Sequence, residues 1–235
     1  MAWIVQWVDE TGSTNADLLS AARAGAPPGT ALAADHQTAG RGRLDRRWQA
    51  PPGSSLLVSL LFHAPAAEGL HRFTQAVGLA AVDACRTVAG VEASLKWPND
   101  VLVASRKLAG ILAETAPVDA GIAVVVGIGM NVTWPAEVPA DLVETMTALN
   151  LECGRPVDRE AVLAAMLAAL DATDWAALHD RYRAALSTLG RAVRVEQAAE
   201  VIEGVAVDVR PDGRLVVETS VGEREITTGD VVHLR

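Results

Sequence analysis

The alternation of apolar and polar positions gives the chain two textures. Up to residue 189, strand-like and helix-like stretches interleave; after Gly190 only short strand-like runs remain. Thr14-Asn15-Ala16-Asp17 has the spacing of a capping box, and Leu18, Leu19 and Ala22 follow at helical intervals until Gly25 and Pro27-Pro28. This predicts a first helix, started by side chains that satisfy free N–H groups and stopped by residues that cannot continue it. Thr30 to Asp35 and Ser55 to Phe62 read as strands, whereas Gly40 to Trp48 is too rich in Gly and Arg to pack and is expected to be a loop. Between Gly69 and Val88 a longer helix is expected, with Phe73, Val77, Ala80, Ala81 and Ala84 at helical spacing.

Leu95-Lys96-Trp97, Val101-Leu102-Val103, Lys107 to Glu114 and Ile122 to Val132 read as strands divided by turn residues such as Pro98-Asn99-Asp100. Such short links imply antiparallel pairing, since a parallel pair needs a long crossover. Two alanine-rich helices follow, one beginning near Asp158 and the other after Asp174, both acids being suitable N-caps. Beyond Gly190, Val193-Arg194-Val195, Gly204 to Val207, Leu215 to Val217 and Val231-Val232 predict a small barrel-like β unit with a hairpin turn at Pro211-Asp212-Gly213. The expected fold class is α+β, a mixed and largely antiparallel sheet flanked by helices. The expected domains are 1–189 and 190–235, packed together because no low-complexity linker separates them.

Composition narrows the function classes. With 235 residues, 50% hydrophobic and 21% charged, the chain has the make-up of a folded globular protein. The balance of 20 Lys+Arg against 29 Asp+Glu gives a net charge of −9, which disfavours general binding to nucleic acid, so any anion site must be local. Cys85 and Cys153 are the only cysteines, and neither they nor the five histidines have metal-ligand spacing, so a protein-held metal and a disulfide framework are not expected. The first residues lack a basic n-region and reach Asp9-Glu10 early, and the most apolar run, Ala120 to Met130, is shorter than the ~20 residues a membrane helix needs. A cytoplasmic protein without a membrane partner is the expectation.

Three clusters could carry chemistry. Gly40-Arg41-Gly42-Arg43-Leu44-Asp45-Arg46-Arg47-Trp48 puts four arginines within seven residues of an otherwise acidic chain. Glycines allow close backbone approach, guanidinium groups bind phosphate oxygens in pairs, and an indole offers a stacking face. A nucleotide phosphate is the natural guest, although a solvated turn or an RNA-binding patch uses the same residues. Lys96 and Lys107 interrupt apolar strands, where a lysine is costly unless it meets an anion or reaches water from an edge. Gly127-Ile128-Gly129-Met130-Asn131 ends a buried strand; it lacks the third glycine of a dinucleotide fingerprint and is either a ligand floor or a bulged core strand.

Taken in order, Ser13-Thr14-Asn15, Gln37 with Gly40-Arg41-Gly42-Arg43, Lys96-Trp97-Pro98-Asn99-Asp100, Lys107 to Leu112 and Gly127 to Asn131 resemble the motifs of the biotin protein ligases. The resemblance extends more weakly to Gly229-Asp230-Val231, similar to the family's small SH3-like C-terminal domain. Asp45 departs from it, standing where better-known members tend to have glycine, and leaves open whether the acid stiffens the loop or pairs with an arginine. Only twelve residues precede Ser13, so the winged-helix DNA-binding domain of some members, and a DNA partner, are not expected.

The resemblance implies an ATP-dependent ligase that forms biotinyl-5′-AMP and transfers biotin to a lysine of a biotin carboxyl carrier protein or domain of acyl-CoA carboxylases. Mg²⁺ would enter with ATP. Carried over by position, Arg43 and Lys107 are the implied catalytic groups, Lys107 also bridging the biotin carboxylate and the α-phosphate. Ser13, Thr14, Gln37 and Arg41, with backbone of Gly40 and Gly110, would contact the ureido ring of biotin. Trp48 would wall off the adenylate, Asn131 meet the adenine, Arg46 and Lys96 face phosphates, and Asp100 assist the incoming lysine. The competing readings are a lipoate or octanoate ligase or transferase, a non-enzymatic vitamin- or nucleotide-binding regulator, and an RNA-binding module.

Overall fold

The computed structural model describes residues 2–119, 121–134, 142–197 and 199–234. Its larger sheet contains β1 (Ile4–Thr11), β2 (Thr30–Gln37), β3 (Ser55–Ala64), β4 (Ser94–Lys96), β5 (Asp100–Val103), β6 (Arg106–Val118) and β7 (Gly121–Asn131), in the order β1-β2-β3-β7-β6-β5-β4. The pairings are antiparallel as expected, save for β1 on β2, which is parallel. The helix α1 (Thr14–Arg23) is the crossover that makes this possible. β1 was not expected from the pattern: it is an edge strand whose Ile4 and Val5 are exposed, so no clean alternation marks it. Ala120, where the apolar run begins, lies outside the described residues.

Both faces of this sheet are covered. On one face α1 seats Leu18, Leu19 and Ala22 against Leu32, Leu61, Ala123 and Val125. Burying each leucine stabilises by about 1.5–3 kcal/mol, and Leu18→Ala would cost ~2–5 kcal/mol. The other face carries α2 (His71–Ala84), α4 (Arg159–Asp171) and α5 (Leu178–Ala185), packed on Leu56, Val58, Leu60, Val124, Val126 and Ile128. β3 is therefore apolar almost without interruption, as a doubly covered strand must be.

Local starts differ from the expected ones. Ser13, in extended conformation, takes the N-cap of α1, while Thr14 bonds Gln37 and Asp17 accepts from Thr11. The capping box is not formed because those side chains have tertiary partners. Asp158 does cap α4 through the Glu160 N–H at 3.0 Å. Asp174 instead caps a turn, accepting from the Ala176 and Ala177 N–H groups, and α5 begins only at Leu178. A short helix α3 (Leu149–Cys153) was not foreseen.

The second sheet is antiparallel, with β8 (Ala192–Glu196), β9 (Val201–Val209), β10 (Leu215–Thr219), β11 (Gly222–Ile226) and β12 (Asp230–His233) in the order β11-β10-β9-β8-β12. β11 escaped the pattern because four of its five residues are exposed. This sheet joins the same core through Val193, Val195, Ala206, Leu215 and Val217. Trp97 ties the two parts together, its backbone N–H donating to Thr188 Oγ1 and its indole to the Gly213 carbonyl, both at 3.0 Å. Among the described residues no helix is long and apolar enough to cross a membrane.

Candidate functional site

A cavity of about 250 Å³ opens on the α1 face of the large sheet, beyond the N-terminus of that helix. Its floor follows from strand period. Gly110 pairs with Gly129, and Leu112 with Gly127, so three cross-strand glycines face the same side. A Cβ at Gly129 would fall 2.6 Å from Trp48 Cε2, and one at Gly127 would fall 2.2 Å from Asn15 Oδ1. The glycines thus let an indole and a buried amide lie directly on the sheet. Among the described residues the Trp48 Nε1–H is buried without a hydrogen-bond partner, so it is available to a ligand.

The wall is the arginine loop, which folds as a small hairpin. Arg41 bridges Arg47, the Trp48 N–H donates to the Gly40 carbonyl at 3.1 Å, and the Gly42 N–H donates to the Arg46 carbonyl at 2.7 Å. At the tip the Arg46 N–H returns to the Arg43 carbonyl, and both central residues, Leu44 at φ 53° and Asp45 at φ 57°, are left-handed. A turn with positive φ at both centres is the kind glycine favours, so Leu44 and Asp45 hold backbone conformations that side chains rarely adopt. Among the described residues Asp45 forms no ion pair, so its effect is conformational.

The C-terminal sheet grips this loop from outside. Arg43 donates to Asn99 Oδ1 and Thr228 Oγ1, each at 3.1 Å, and Arg46 pairs with Asp230. Burial opposes the charge of Arg43 and lowers its pKa, while Asp230 and Asp100 act in the other direction. Lys107 meets Asp100 at 2.6 Å and lies 5.9 Å over the Trp48 ring. The cavity is lined by Arg41, Arg43, Arg46, Arg47 and Lys107 against the carboxylates Asp100 and Asp230 only. Within a molecule of net charge −9, this is a local concentration of positive charge, the form any anion site was expected to take.

At the opposite end the lining is polar and neutral. The Thr14 N–H donates to Gln37 Oε1 at 2.8 Å, and Ser59 Oγ lies 2.7 Å from Thr14 Oγ1 and 2.6 Å from Asn15 Oδ1. Of the residues expected from sequence, Ser13, Thr14, Gln37, Arg41, Arg43, Arg46, Trp48, Asp100, Lys107 and Gly110 line this one cavity. Three do not. Gly40 lies behind the wall, where it leaves room for the Trp48 carbonyl and Gln37. Lys96 is on β4 opposite Asp100, with its pKa lowered first by burial. Asn131 is buried and spends its amide on Ser55 and the Thr147 carbonyl.

Asn15, Asn99, Glu114 and Asp230 were not assigned from sequence. Glu114 carried a usable signal, because a carboxylate in an apolar strand is as costly as the lysines that were singled out. Asp230 and Asn99 stood inside motifs that carry the resemblance, but their contacts with the loop across the fold left no local sign.

Comparison with known proteins agrees with this geometry. Residues 9–131 match the Biotin/lipoate A/B protein ligase family, and residues 188–234 match the Biotin protein ligase C terminal domain. A biotin--[acetyl-CoA-carboxylase] ligase of Mycobacterium tuberculosis is 39% identical, over 97% of this chain and 88% of its own length. The bifunctional ligase/repressor BirA of Bacillus subtilis is 30% identical over 95% of this chain and 72% of its own length. Biotin protein ligase from Aquifex aeolicus, solved in complex with biotin and ATP, superposes with a TM-score of 0.83 at 29% identity, covering 98% of each chain. With a glycine-floored cavity, a cationic hairpin wall and relatives matched along nearly the whole chain, this protein belongs to the biotin protein ligases of the biotin/lipoate A/B protein ligase family.

Proposed function

We propose that this chain joins biotin to ATP as biotinyl-5′-AMP and then transfers the biotinyl group to a lysine of a carrier protein. The observation that carries this reading is the two-ended cavity, in which a neutral hydrogen-bonding end and a cationic end share one glycine floor. A cyclic urea has both donors and an acceptor and matches Ser13, Thr14 and Gln37, with Arg41, whose charge Glu114 balances at 2.9 Å, beside them. A carboxylate and a phosphate, both anions, match Lys107, Arg43 and Arg46.

In the first step a biotin carboxylate oxygen bonds to the α-phosphorus of ATP and the bond to pyrophosphate breaks. Two anions must be brought together, so positioning and charge neutralisation are the main needs. Lys107 would hold the carboxylate beside the α-phosphate, and Arg43 would neutralise charge developing on it. Arg46 would face the departing phosphates once it leaves Asp230. Lys96 would add long-range positive potential from β4, and Asn131 would act on the adenine side through the segment it anchors at Thr147. Mg²⁺ would enter on the ATP phosphates and screen their charge, with Asp100 and Asp230 the carboxylates that line the cavity.

In the second step a lysine amine attacks the acyl carbon of the mixed anhydride, an amide forms and AMP leaves. The amine must lose a proton. Asp100 would receive it, and its contact with Lys107 would be remade as the substrate carboxylate is consumed. Trp48 and the hairpin would exclude water from the anhydride meanwhile. The acceptor we infer is the biotin carrier domain of an acyl-CoA carboxylase. We assign these steps to residues 1–189, with residues 190–235 holding the arginine loop.

The test is pyrophosphate release from ATP and Mg²⁺ with biotin, lipoate or octanoate supplied separately. Release with biotin alone is the expected result. Release with lipoate or octanoate instead would move the chain to the lipoyl branch, and no release with any acid would contradict ligation.

A further inference from the structure

Glu114 lies on β6 outside the lining of the cavity and yet holds Arg41 and Asn15, which line it. Its Oε1 pairs with Arg41 NH1 at 2.9 Å, and its Oε2 accepts from Asn15 Nδ2 at 2.8 Å. Asn15 Nδ2 also donates to the Leu112 carbonyl at 3.1 Å. Asn15 is 5% exposed, and Gly127 beneath it has no Cβ to displace it.

We propose that Glu114, acting through Asn15, is a positioning residue that fixes the direction of the hydrogen bonds at the neutral end of the cavity. It thereby sets the preference for a cyclic urea over a ring without N–H and C=O groups. This rests on the biotin reading above and names what enforces it.

The argument is a count of protons. An ionised carboxylate only accepts, so Glu114 and the Leu112 carbonyl together force the NH₂ of Asn15 toward β6 and its Oδ1 toward Ser59. Asn15 Oδ1 can only accept, so it takes the single proton of the Ser59 hydroxyl at 2.6 Å. Ser59 then has no proton left for Thr14, so the one Thr14 hydroxyl proton serves Ser59 Oγ at 2.7 Å or Gln37 Oε1 at 3.1 Å and in either case points away from a ligand. Thr14 Oγ1 is left with free lone pairs for a ligand N–H. The Thr14 backbone N–H holds Gln37 Oε1 at 2.8 Å, which leaves the Gln37 NH₂ as a donor for a ligand carbonyl. One acceptor and one donor are the pattern that a urea's N–H and C=O require.

If Asn15 turned over, its Oδ1 would face two acceptors, Glu114 Oε2 and the Leu112 carbonyl, its NH₂ would face Ser59, the Ser59 proton would pass to Thr14, and the Thr14 proton would go to Gln37 Oε1. A single amide reversal would therefore oppose acceptor to acceptor at β6 and take from Thr14 one of the lone pairs it offers a ligand. Such a mismatch leaves buried polar groups unpaired, which is the costly case. Glu114 alone supplies an acceptor to both Asn15 and Arg41, one per oxygen.

Glu114→Gln tests this with almost no change of shape, because a glutamine has one acceptor oxygen for two donors. We expect the KM for biotin to rise about tenfold or more in biotin-dependent pyrophosphate release, with the KM for ATP changed by less than about twofold. Selectivity for biotin over lipoate should fall with it. Asn15→Ala should act similarly, and the double variant should fall short of the product of the two single effects, because Asn15 carries one of the two contacts Glu114 makes. An unchanged biotin KM in Glu114→Gln, an equal rise in the KM for ATP, or multiplying effects in the double variant would overturn the proposal. Unfolding midpoints report whether each variant folds. Should Asn15→Ala not fold, the KM split and the selectivity of Glu114→Gln decide alone. A parent protein inactive with biotin would refute the functional reading itself, whereas an active parent with unchanged variants would refute only the role of Glu114.

Discussion

At the scale of single residues, the site depends on side chains that are missing. Trp48 lies on the sheet because positions 110 and 129 have no Cβ, and the indole in turn walls the cationic end. Gly129→Ala would place a methyl 2.6 Å from the ring, closer than carbon atoms tolerate, and Trp48 must lift. Overpacking of this kind costs about 1–3 kcal/mol. Because β7 can shift only with its neighbours β3 and β6, most of that cost should appear in the site. We predict at least a tenfold loss of biotin-dependent pyrophosphate release with a folded protein, measured beside an unfolding curve; full activity would contradict the floor's role. Lys107 and the arginines that line this cavity were legible in the sequence because charge in an apolar or acidic setting is conspicuous, although Lys96, as conspicuous, lies outside the lining. Asn15 was not, since a polar residue in the first turn of a helix looks like capping material until its tertiary partners are seen.

Among elements, the arginine loop is the one that walls the cavity. It is held by its own hairpin bonds and by Thr228 and Asp230 of the second sheet. The Arg46 side chain is 68% exposed and that of Asp230 22%, so the pair is worth no more than ~0.2–1 kcal/mol. Asp230→Asn should therefore raise the open population by about two- to fivefold, read as faster tryptic cleavage after Arg41 to Arg47, and bound biotin with ATP should slow it again. Cleavage at the parent rate would show that the hairpin holds itself. Most elements were readable from period and turn residues, β3, α2, β6 and β7 among them. Those that were not, β1, α3 and β11, are short or exposed on edges, where burial writes no pattern. The thread by which a C-terminal carboxylate restrains a loop near the N-terminus has no local signature at all.

For the whole molecule, the second sheet is joined to the catalytic part by packing and by groups that titrate. His233 on β12 bonds Thr188 at 3.2 Å, and its pKa is pushed down to about 4, first by burial and then by Lys96 and Arg191. His71, which meets the Pro211 carbonyl at 2.9 Å, is also lowered, first by burial. As pH falls, the unfolded chain takes up these protons before the folded one does. The stability these histidines contribute is therefore complete above pH 6.5 and is lost as pH falls from there toward about 4. We predict a falling unfolding midpoint across that window and a flatter profile in His233→Gln; identical profiles would remove His233 from the account.

The central claim is that one cavity makes the adenylate and delivers it. It is tested most directly by the intact mass of a biotin carrier domain incubated with this protein, biotin, ATP and Mg²⁺. The account predicts one added biotinyl group on one lysine, absent without ATP and absent with Lys107→Ala. A carrier of unchanged mass beside a protein that binds biotin and ATP would contradict it, as would a gain of lipoate in place of biotin.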